Sequence, residues 1–193
     1  MSMISSLRKY ITRKRVWVSR IVFGAIAAEY LITHWHSFST PDSFDKAYII
    51  GTLLILAGTF IRCWSAGILQ KVQRLVQEGP YAIARNPLYI GSFLIACGFG
   101  FYLGDLWFWL GMLFIFIFIY PNTIHNEETK LKALFPQQWE VFSAQVGMFW
   151  PIRIDWNAVK HPWSYSLWLK NKEHKTLILI VLGLLAKLLK IIL

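Results

Sequence analysis

The stretch that decides the fold is LVQEGPYAIARNPLYIGSF, residues 75–93. It begins as a polar segment around Glu78 and ends as an apolar run that carries no charge after Arg85. Two prolines, Pro80 and Pro87, divide it, and proline suits the first turn of a helix because the amide hydrogen it lacks would be unpaired there anyway. The stretch therefore predicts a short turn, followed by an apolar helix that begins at Pro87.

The composition of the chain indicates that this apolar helix lies in a membrane. Of 193 residues, 56% are hydrophobic and only 16% are charged, whereas average soluble chains carry about 25% charged residues. Aromatic residues make up 17%, and such rings concentrate at the lipid–water boundary. The net charge is +10, and the basic residues lie mostly between apolar runs. This favours attraction to anionic membrane lipids over a nucleic-acid partner, because no basic stripe with interleaved aromatic residues is present.

Four apolar segments approach the length of about 20 residues that spans hydrocarbon. The expected spans are residues 16–35, 47–69, 88–103 and 106–120. Gly104-Asp105, between the last two, is long enough only for a tight hairpin. A fifth apolar run, 176–193, is interrupted by Lys187 and Lys190, so it either spans the membrane or lies flat on it.

Lysine and arginine placement predicts the orientation of these spans. Most basic residues lie in segments 1–15, 70–87 and 121–175, whereas the opposing loops hold only Lys46. We therefore expect the N-terminus and these three segments in the cytoplasm, with a site at the cytoplasmic mouth of the spans. The predicted fold is all-α: one domain over 1–193, a polytopic membrane bundle of four to five spans with a cytoplasmic helical cofactor pocket.

Few charged or metal-ligating residues lie inside the apolar runs. Arg20 and Arg62 fall near the cytoplasmic ends of their spans, where we expect their side chains to extend towards the headgroups. Glu29 lies deeper, and the sequence identifies no partner for it. Cys63 and Cys97 have no metal-ligand partner at useful spacing. They predict small buried side chains and no metal site.

A second polar segment, YPNTIHNEETKLKALFPQQWEVFSAQVGMFWPI at residues 120–152, follows the fourth span. Leu131 follows the pair Glu127-Glu128 at helical spacing, and Pro136 ends the predicted helix. Carboxylates at such an exit usually face water. Close to a bilayer, however, a charge without a partner is costly, and a cationic ligand would be a suitable partner.

Together these motifs resemble the isoprenylcysteine carboxyl methyltransferase family, whose wider group includes membrane phospholipid methyltransferases. The resemblance rests on Gly79-Pro80-Tyr81, Arg85-Asn86-Pro87-x-Tyr89, Glu127-Glu128-x-x-Leu131, Phe135-Pro136-x-x-Trp139 and Pro151. Family members are integral membrane enzymes that use S-adenosylmethionine. The resemblance therefore implies a methyltransferase whose cofactor lies between the two polar segments.

The resemblance also implies which residues hold the cofactor. By position these are Gln73, Leu75, Val76, Tyr81, Asn86, Pro87, Leu88, Tyr89 and Glu127. A carboxylate can hold the cationic part of the cofactor, and tyrosine rings suit both an adenine and a sulfonium. The catalytic candidates are Arg85, Glu128 and His125. His125 ranks first as a proton acceptor by position, and an interfacial histidine bonded to backbone is the alternative.

Two positions depart from the family pattern. Asn86 stands where the family has histidine, and asparagine keeps a donor and an acceptor but is not protonated. Thr123 stands where members that act on prenylcysteine carry an arginine for the substrate carboxylate. We therefore expect methyl transfer to a lipophilic acceptor that enters from the bilayer, either an isoprenylcysteine-like carboxylate or another lipid. The alternatives are a membrane reductase that uses NADPH on lipids or steroids, and a non-catalytic membrane scaffold.

Overall fold

The computed structural model describes residues 46–71 and 73–192, with side chains up to residue 185. The expected first span with Arg20 and Glu29, and the N-terminal cytoplasmic segment, lie outside the described residues. The described part contains helices and no strands, which confirms the all-helical class. Its elements are α1 (Lys46–Ala66), a 3-10 helix (Gly79–Ala82), α2 (Pro87–Leu103), α3 (Leu106–Phe114), a π-helical turn (Ile115–Ile119), α4 (Tyr120–Leu134), α5 (Pro136–Gln145), α6 (Trp156–Val159), α7 (Tyr165–Lys170) and α8 (Glu173–Ile192).

Helices α1 and α2 run antiparallel and approach closely because glycines line their contact. A Cβ atom on Gly58 would lie 2.5 Å from the carbonyl oxygen of Gly91, and one on Gly98 would lie 2.6 Å from that of Gly51. Small residues let helix backbones approach each other, which is a common way for membrane helices to associate. The sequence signal for this contact is the seven-residue spacing of the glycines on each helix.

The predicted hairpin after α2 is present, and it leads into one long helical rod. Gly104 ends α2 with a left-handed φ of 62°, and Asp105 begins α3 by accepting a hydrogen bond from the amide of Phe108 at 2.8 Å. The rod then continues through the π-helical turn to Leu134, so that the expected fourth span and the polar helix after it form a single element. Pro121 does not break the rod, because the wider π-helical turn just before it leaves room for the proline ring.

The C-terminal helix α8 packs lengthwise against α1 and α2. Its first residue, Glu173, forms an ion pair with Arg62 near the end of α1. Seven residues further on, Ile180 is buried with Ile55 and Tyr102, so α8 runs antiparallel to α1. The sequence left open whether this run spans or lies flat, and the structure places it beside the two apolar helices.

Two of the described helices are long and apolar enough to cross a membrane, Lys46–Ala66 and Leu106–Leu134, whereas Pro87–Leu103 is apolar but shorter. Their large hydrophobic side chains remain exposed, for example Phe60 by 65% and Trp107 by 74%. The core helix of a soluble protein would bury such side chains, and contiguous exposed apolar surface marks contact with lipid or a partner. The apolar helices that the sequence predicts therefore present a surface suited to lipid.

Candidate functional site

The loop before α2 is fastened to the opposing segment by Arg85 and Asn86. The Nε atom of Arg85 donates to Oε1 of Glu128 at 3.0 Å, and its Nη1 atom donates to the carbonyl oxygens of Ser143 and Val146 at 3.1 and 2.9 Å. Asn86 Nδ2 donates to the same glutamate oxygen at 3.1 Å. A neutral amide therefore serves as a donor where the family has histidine, and Arg85 and Glu128 hold the two polar segments together.

Beside these contacts, Tyr89 on α2 meets Glu127 on α4. The Tyr89 hydroxyl group and the Glu127 carboxylate are neighbours that interact electrostatically, and the Tyr89 ring packs edge-on against Tyr120 with 5.0 Å between centroids. Tyr120 and Glu127 are seven residues apart, so they share one face of α4. The charges of Lys71 and Lys130 also act on Glu127. The Glu127 side chain is exposed, with aromatic rings nearby and two ammonium groups within electrostatic range.

Tyr81, in the 3-10 helix, is buried in a cluster with Ile68 and Val76. Its hydroxyl group has no hydrogen-bond partner within the described part of the chain. Burial raises the pKa of Tyr81, and the negative charge of Glu127 raises it further, so the hydroxyl group stays a neutral donor. A buried polar group without a partner costs about 1–3 kcal/mol. A ligand with a hydrogen-bond acceptor would supply the missing partner. We call Tyr81, Tyr89 and Glu127 the tyrosine–glutamate cluster.

The other predicted cofactor residues are placed differently. Leu75 is buried against α5 and packs within the protein, and Pro87 is buried in the first turn of α2. Leu88 is half-buried, and its carbonyl oxygen accepts a hydrogen bond from Arg62 at 3.3 Å. Gln73 is exposed. These four residues lie close to Tyr81 and Tyr89 in the sequence. In the structure, three of them pack within the protein or form a backbone hydrogen bond.

His125 is not brought to the tyrosine–glutamate cluster. Its side chain is exposed, and two residues along an α-helix correspond to a rotation of about 200°, so it leaves α4 on the side opposite Glu127. Its carbonyl oxygen accepts a hydrogen bond from the hydroxyl group of Thr129 at 2.7 Å. The hydroxyl group of Thr123 likewise donates to the Ile119 carbonyl oxygen at 3.0 Å.

An ion pair that the sequence does not identify joins α1 to α8. Arg62 Nε and Nη2 contact the two carboxylate oxygens of Glu173 at 2.6 and 3.0 Å, and Nη1 donates to Ser92 and to the Leu88 carbonyl oxygen. The positive charge of Arg62 also acts on Tyr89. The expectation that Arg62 extends towards the headgroups is therefore wrong, because a buried carboxylate holds it. The available signal was a lone acidic residue at the start of the last apolar run, since a charge near a bilayer needs a partner.

The segment before α8 covers the end of α1. Trp163 Nε1 donates to the Cys63 carbonyl oxygen at 2.9 Å, and Asn171 Nδ2 donates to those of Ala66 and Leu69 at 2.9 and 2.8 Å. The last carbonyl groups of a helix lack partners within the helix. Asn171 supplies a partner to the Ala66 carbonyl oxygen, and Trp163 adds a second donor to that of Cys63. The C-terminal segment is therefore an integrated part of the fold.

The exposed apolar helices carry an arginine–asparagine–proline–tyrosine loop that faces a glutamate pair. Residues 46–138 match the family model described as "Phospholipid methyltransferase". This match confirms the resemblance seen in the sequence over these residues. The two apolar helices and the match together support a membrane protein.

Two relatives are similar over most of the chain. "Cobalt-zinc-cadmium resistance protein CzcN" of Cupriavidus metallidurans is 29% identical over 148 residues, which are 76% of this chain and 68% of the relative. "Nickel-cobalt-cadmium resistance protein NccN" of Alcaligenes xylosoxydans xylosoxydans is 26% identical over 153 residues, which are 76% of this chain and 69% of the relative. No solved structure matches the chain at a significant level. Residues 46–71 and 73–192 contain no group of three histidine, cysteine or acidic residues placed to hold a metal ion.

Proposed function

We propose that this protein is an S-adenosylmethionine-dependent methyltransferase that acts at the membrane on a lipophilic acceptor. The observation that carries the proposal is the proximity of Tyr89, in the first turn of α2, to Glu127 on α4. The unpartnered hydroxyl group of Tyr81 lies in the same cluster. The family match supports the reaction class.

The tyrosine–glutamate cluster fits the cofactor by its chemistry. Glu127 would hold the cationic part of the cofactor, next to the Tyr89 ring. The faces of the tyrosine rings attract a sulfonium, and Tyr81 would donate to an acceptor on the cofactor. When bound there, S-adenosylmethionine supplies an electrophilic methyl group.

The contribution of the protein to the reaction is positioning. Arg85 and Glu128 hold the α2 loop against α4, and Arg62 fixes the first turn of α2 through the Leu88 carbonyl oxygen and Ser92. Orientation of two reacting groups can lower a barrier by up to about 7–11 kcal/mol. Glu127 would be occupied by the cation in this arrangement, so one candidate is an acceptor that needs no base, such as an isoprenylcysteine-like carboxylate. Thr123 stands where the family arginine would hold that carboxylate. Another lipid is the broader candidate.

The same proposal includes a multi-pass topology. Helices α1, α2 and α8 and the rod from Leu106 to Leu134 would cross the bilayer together. The tyrosine–glutamate cluster would lie at the cytoplasmic face, because the basic segments 70–87 and 121–175 adjoin it. The exposed apolar faces of the helices would let the acceptor approach sideways from the bilayer.

Isothermal titration of the purified protein with S-adenosylmethionine, in a detergent that preserves the fold, tests the proposal. Glu127→Gln and Tyr89→Ala should weaken binding by about 10- to 100-fold, as the loss of a contact to a charged group predicts. Glu140→Gln, which alters an exposed glutamate on α5, is the matched control and should bind normally. Absence of binding by the unmodified protein would refute the proposal.

The two alternatives predict different outcomes. Binding of NADPH in place of S-adenosylmethionine would favour the reductase. A scaffold predicts that variants of Arg85, Tyr89 and Glu127 support normal function in cells.

The names of both relatives motivate a second, cellular proposal, that methyl transfer by this protein contributes to metal resistance. In a metal-sensitive host, expression of the unmodified protein should raise the inhibitory concentrations of cobalt and cadmium. Glu127→Gln, expressed to the same level in the membrane, should not. Equal protection by both proteins would show that resistance does not depend on methyl transfer.

A further inference from the structure

A cleft of about 270 Å³ lies between the end of α1 and the turn from α7 to α8. Its lining residues are Leu69, Gln70, Lys71, Leu167, Lys170, Asn171 and Lys172. Three of the seven are lysines, and we call this hollow the lysine cleft. One of its walls comes from the C-terminal segment, beyond the residues that match the family. The lysine cleft shares no lining residue with the tyrosine–glutamate cluster, and it adjoins that cluster through Lys71, whose charge acts on Glu127.

The wall that carries two of the lysines is held in place by hydrogen bonds. Asn171, between Lys170 and Lys172, donates to the carbonyl oxygens of Ala66 and Leu69 at 2.9 and 2.8 Å. Lys172 has a φ of 61°, a left-handed conformation that residues other than glycine rarely adopt. A fixed turn thus presents two ammonium groups to one hollow.

The lysines of the cleft are available for a ligand. Their side chains are exposed, and among the described residues none of the three forms an ion pair. Of the neighbouring carboxylates, Glu127 interacts with Lys71 through its charge, while Glu173 is held by Arg62. Like charges around one hollow repel each other. An anion bound between them would relieve that repulsion.

The surroundings of the cleft are those of the lipid–water boundary. Trp163, Tyr165 and Trp168 cluster beside it, with ring centroids 5.6 to 6.5 Å apart. Leu169 is 40% exposed, and further along α8 the side chain of Leu179 is 69% exposed. Aromatic rings of this kind are enriched at the level of lipid headgroups. The cleft is also slightly smaller than ordinary ligand pockets of about 300–1,000 Å³, which suits a headgroup.

We propose that the lysine cleft binds the phosphate group of an anionic glycerophospholipid, whose acyl chains lie along the exposed apolar surface of α8. The bound lipid is a resident partner of the protein and not the methyl acceptor. Free phosphate offers the same charge, but only a lipid would also use the aromatic cluster and the apolar surface beside the cleft. Because no residue of the tyrosine–glutamate cluster lines the cleft, lipid binding requires no S-adenosylmethionine. The inference therefore stands apart from the proposed reaction.

Native mass spectrometry of the detergent-purified full chain tests this site, with phosphatidylglycerol and phosphatidylcholine titrated separately and no cofactor present. Phosphatidylglycerol should bind preferentially and to saturation. Lys170→Gln/Lys172→Gln should weaken its binding by roughly 30-fold, as the loss of two ammonium groups beside an anionic headgroup predicts. Lys132→Gln/Lys160→Gln, which removes the same charge from exposed positions outside the cleft, should leave binding unchanged.

Three results would overturn the inference. Equal binding of the two lipids would show that the cleft does not select a negative charge. An equal loss in both double variants would assign the effect to net charge. Complete displacement of phosphatidylglycerol by inorganic phosphate, which then binds alone, would make the cleft a site for free phosphate. Gel filtration and circular dichroism establish that both double variants are folded, as expected for exposed lysines.

Discussion

Replacing Glu173 by glutamine should destabilise the protein strongly. The side chain of Glu173 is only 5% exposed and that of its partner Arg62 is 19% exposed, so solvent screens their interaction weakly. Removing one partner from a buried ion pair costs about 3–5 kcal/mol, because the other charge is left buried and uncompensated. Arg62 keeps its hydrogen bonds to Ser92 and Leu88, which places the expected cost at the lower end, about 3 kcal/mol.

Thermal unfolding of the purified protein, followed by tryptophan fluorescence, measures this cost. For a chain of this length, 1 kcal/mol corresponds to a change in Tm of about 2–4 °C, so Glu173→Gln should lower Tm by roughly 6–12 °C. Glu140→Gln removes an exposed carboxylate and serves as the control. If both variants unfold at the same temperature, the pair contributes no more than a surface salt bridge, about 0–1 kcal/mol, and the reasoning fails.

A second variant separates loss of the pair from damage to the packing. Arg62→Met/Glu173→Leu replaces both charges with apolar side chains of similar size, and such replacements are often neutral or stabilising. We expect the double variant to recover most of the Tm lost by Glu173→Gln. A lower Tm in the double variant than in the single one would instead assign the effect to the hydrogen bonds that Arg62 makes with the first turn of α2.

Three further expectations concern other parts of the structure. Tyr81→Phe should stabilise the ligand-free protein by about 1 kcal/mol, because it removes a buried hydroxyl group without a partner, yet weaken S-adenosylmethionine binding; unchanged affinity would exclude Tyr81 from the site. Gly58→Ala should lower Tm, because the new Cβ would meet a carbonyl oxygen of α2 at 2.5 Å, whereas Gly111→Ala, with open space around it, should raise Tm slightly. Arg85→Lys should lower both Tm and cofactor affinity, because lysine cannot reproduce the guanidinium fork. The same change at Arg74, in a more exposed pair, should do neither.

The sequence by itself determined the fold class and several of the positions at which helices begin and end. Pro87 predicts the start of α2 because a proline at that position leaves no additional amide unpaired, and Gly104-Asp105 predicts the hairpin because glycine tolerates a positive φ and aspartate caps the next helix. Local chemistry of this kind acts over a few residues, so it can be read without a structure. The motif residues likewise predicted the resemblance to the family, because their order and spacing match the family pattern.

Only the tertiary structure decided which side chains face each other. Tyr89 and Glu127 meet because α2 and the rod that contains α4 form an antiparallel pair, and the same helix rotation turns His125 away from them. Arg62 and Glu173 are 111 positions apart in the chain, and no local pattern reports that α8 folds back along α1. Such contacts depend on the packing of whole helices against each other, and that packing is a property of the assembled bundle.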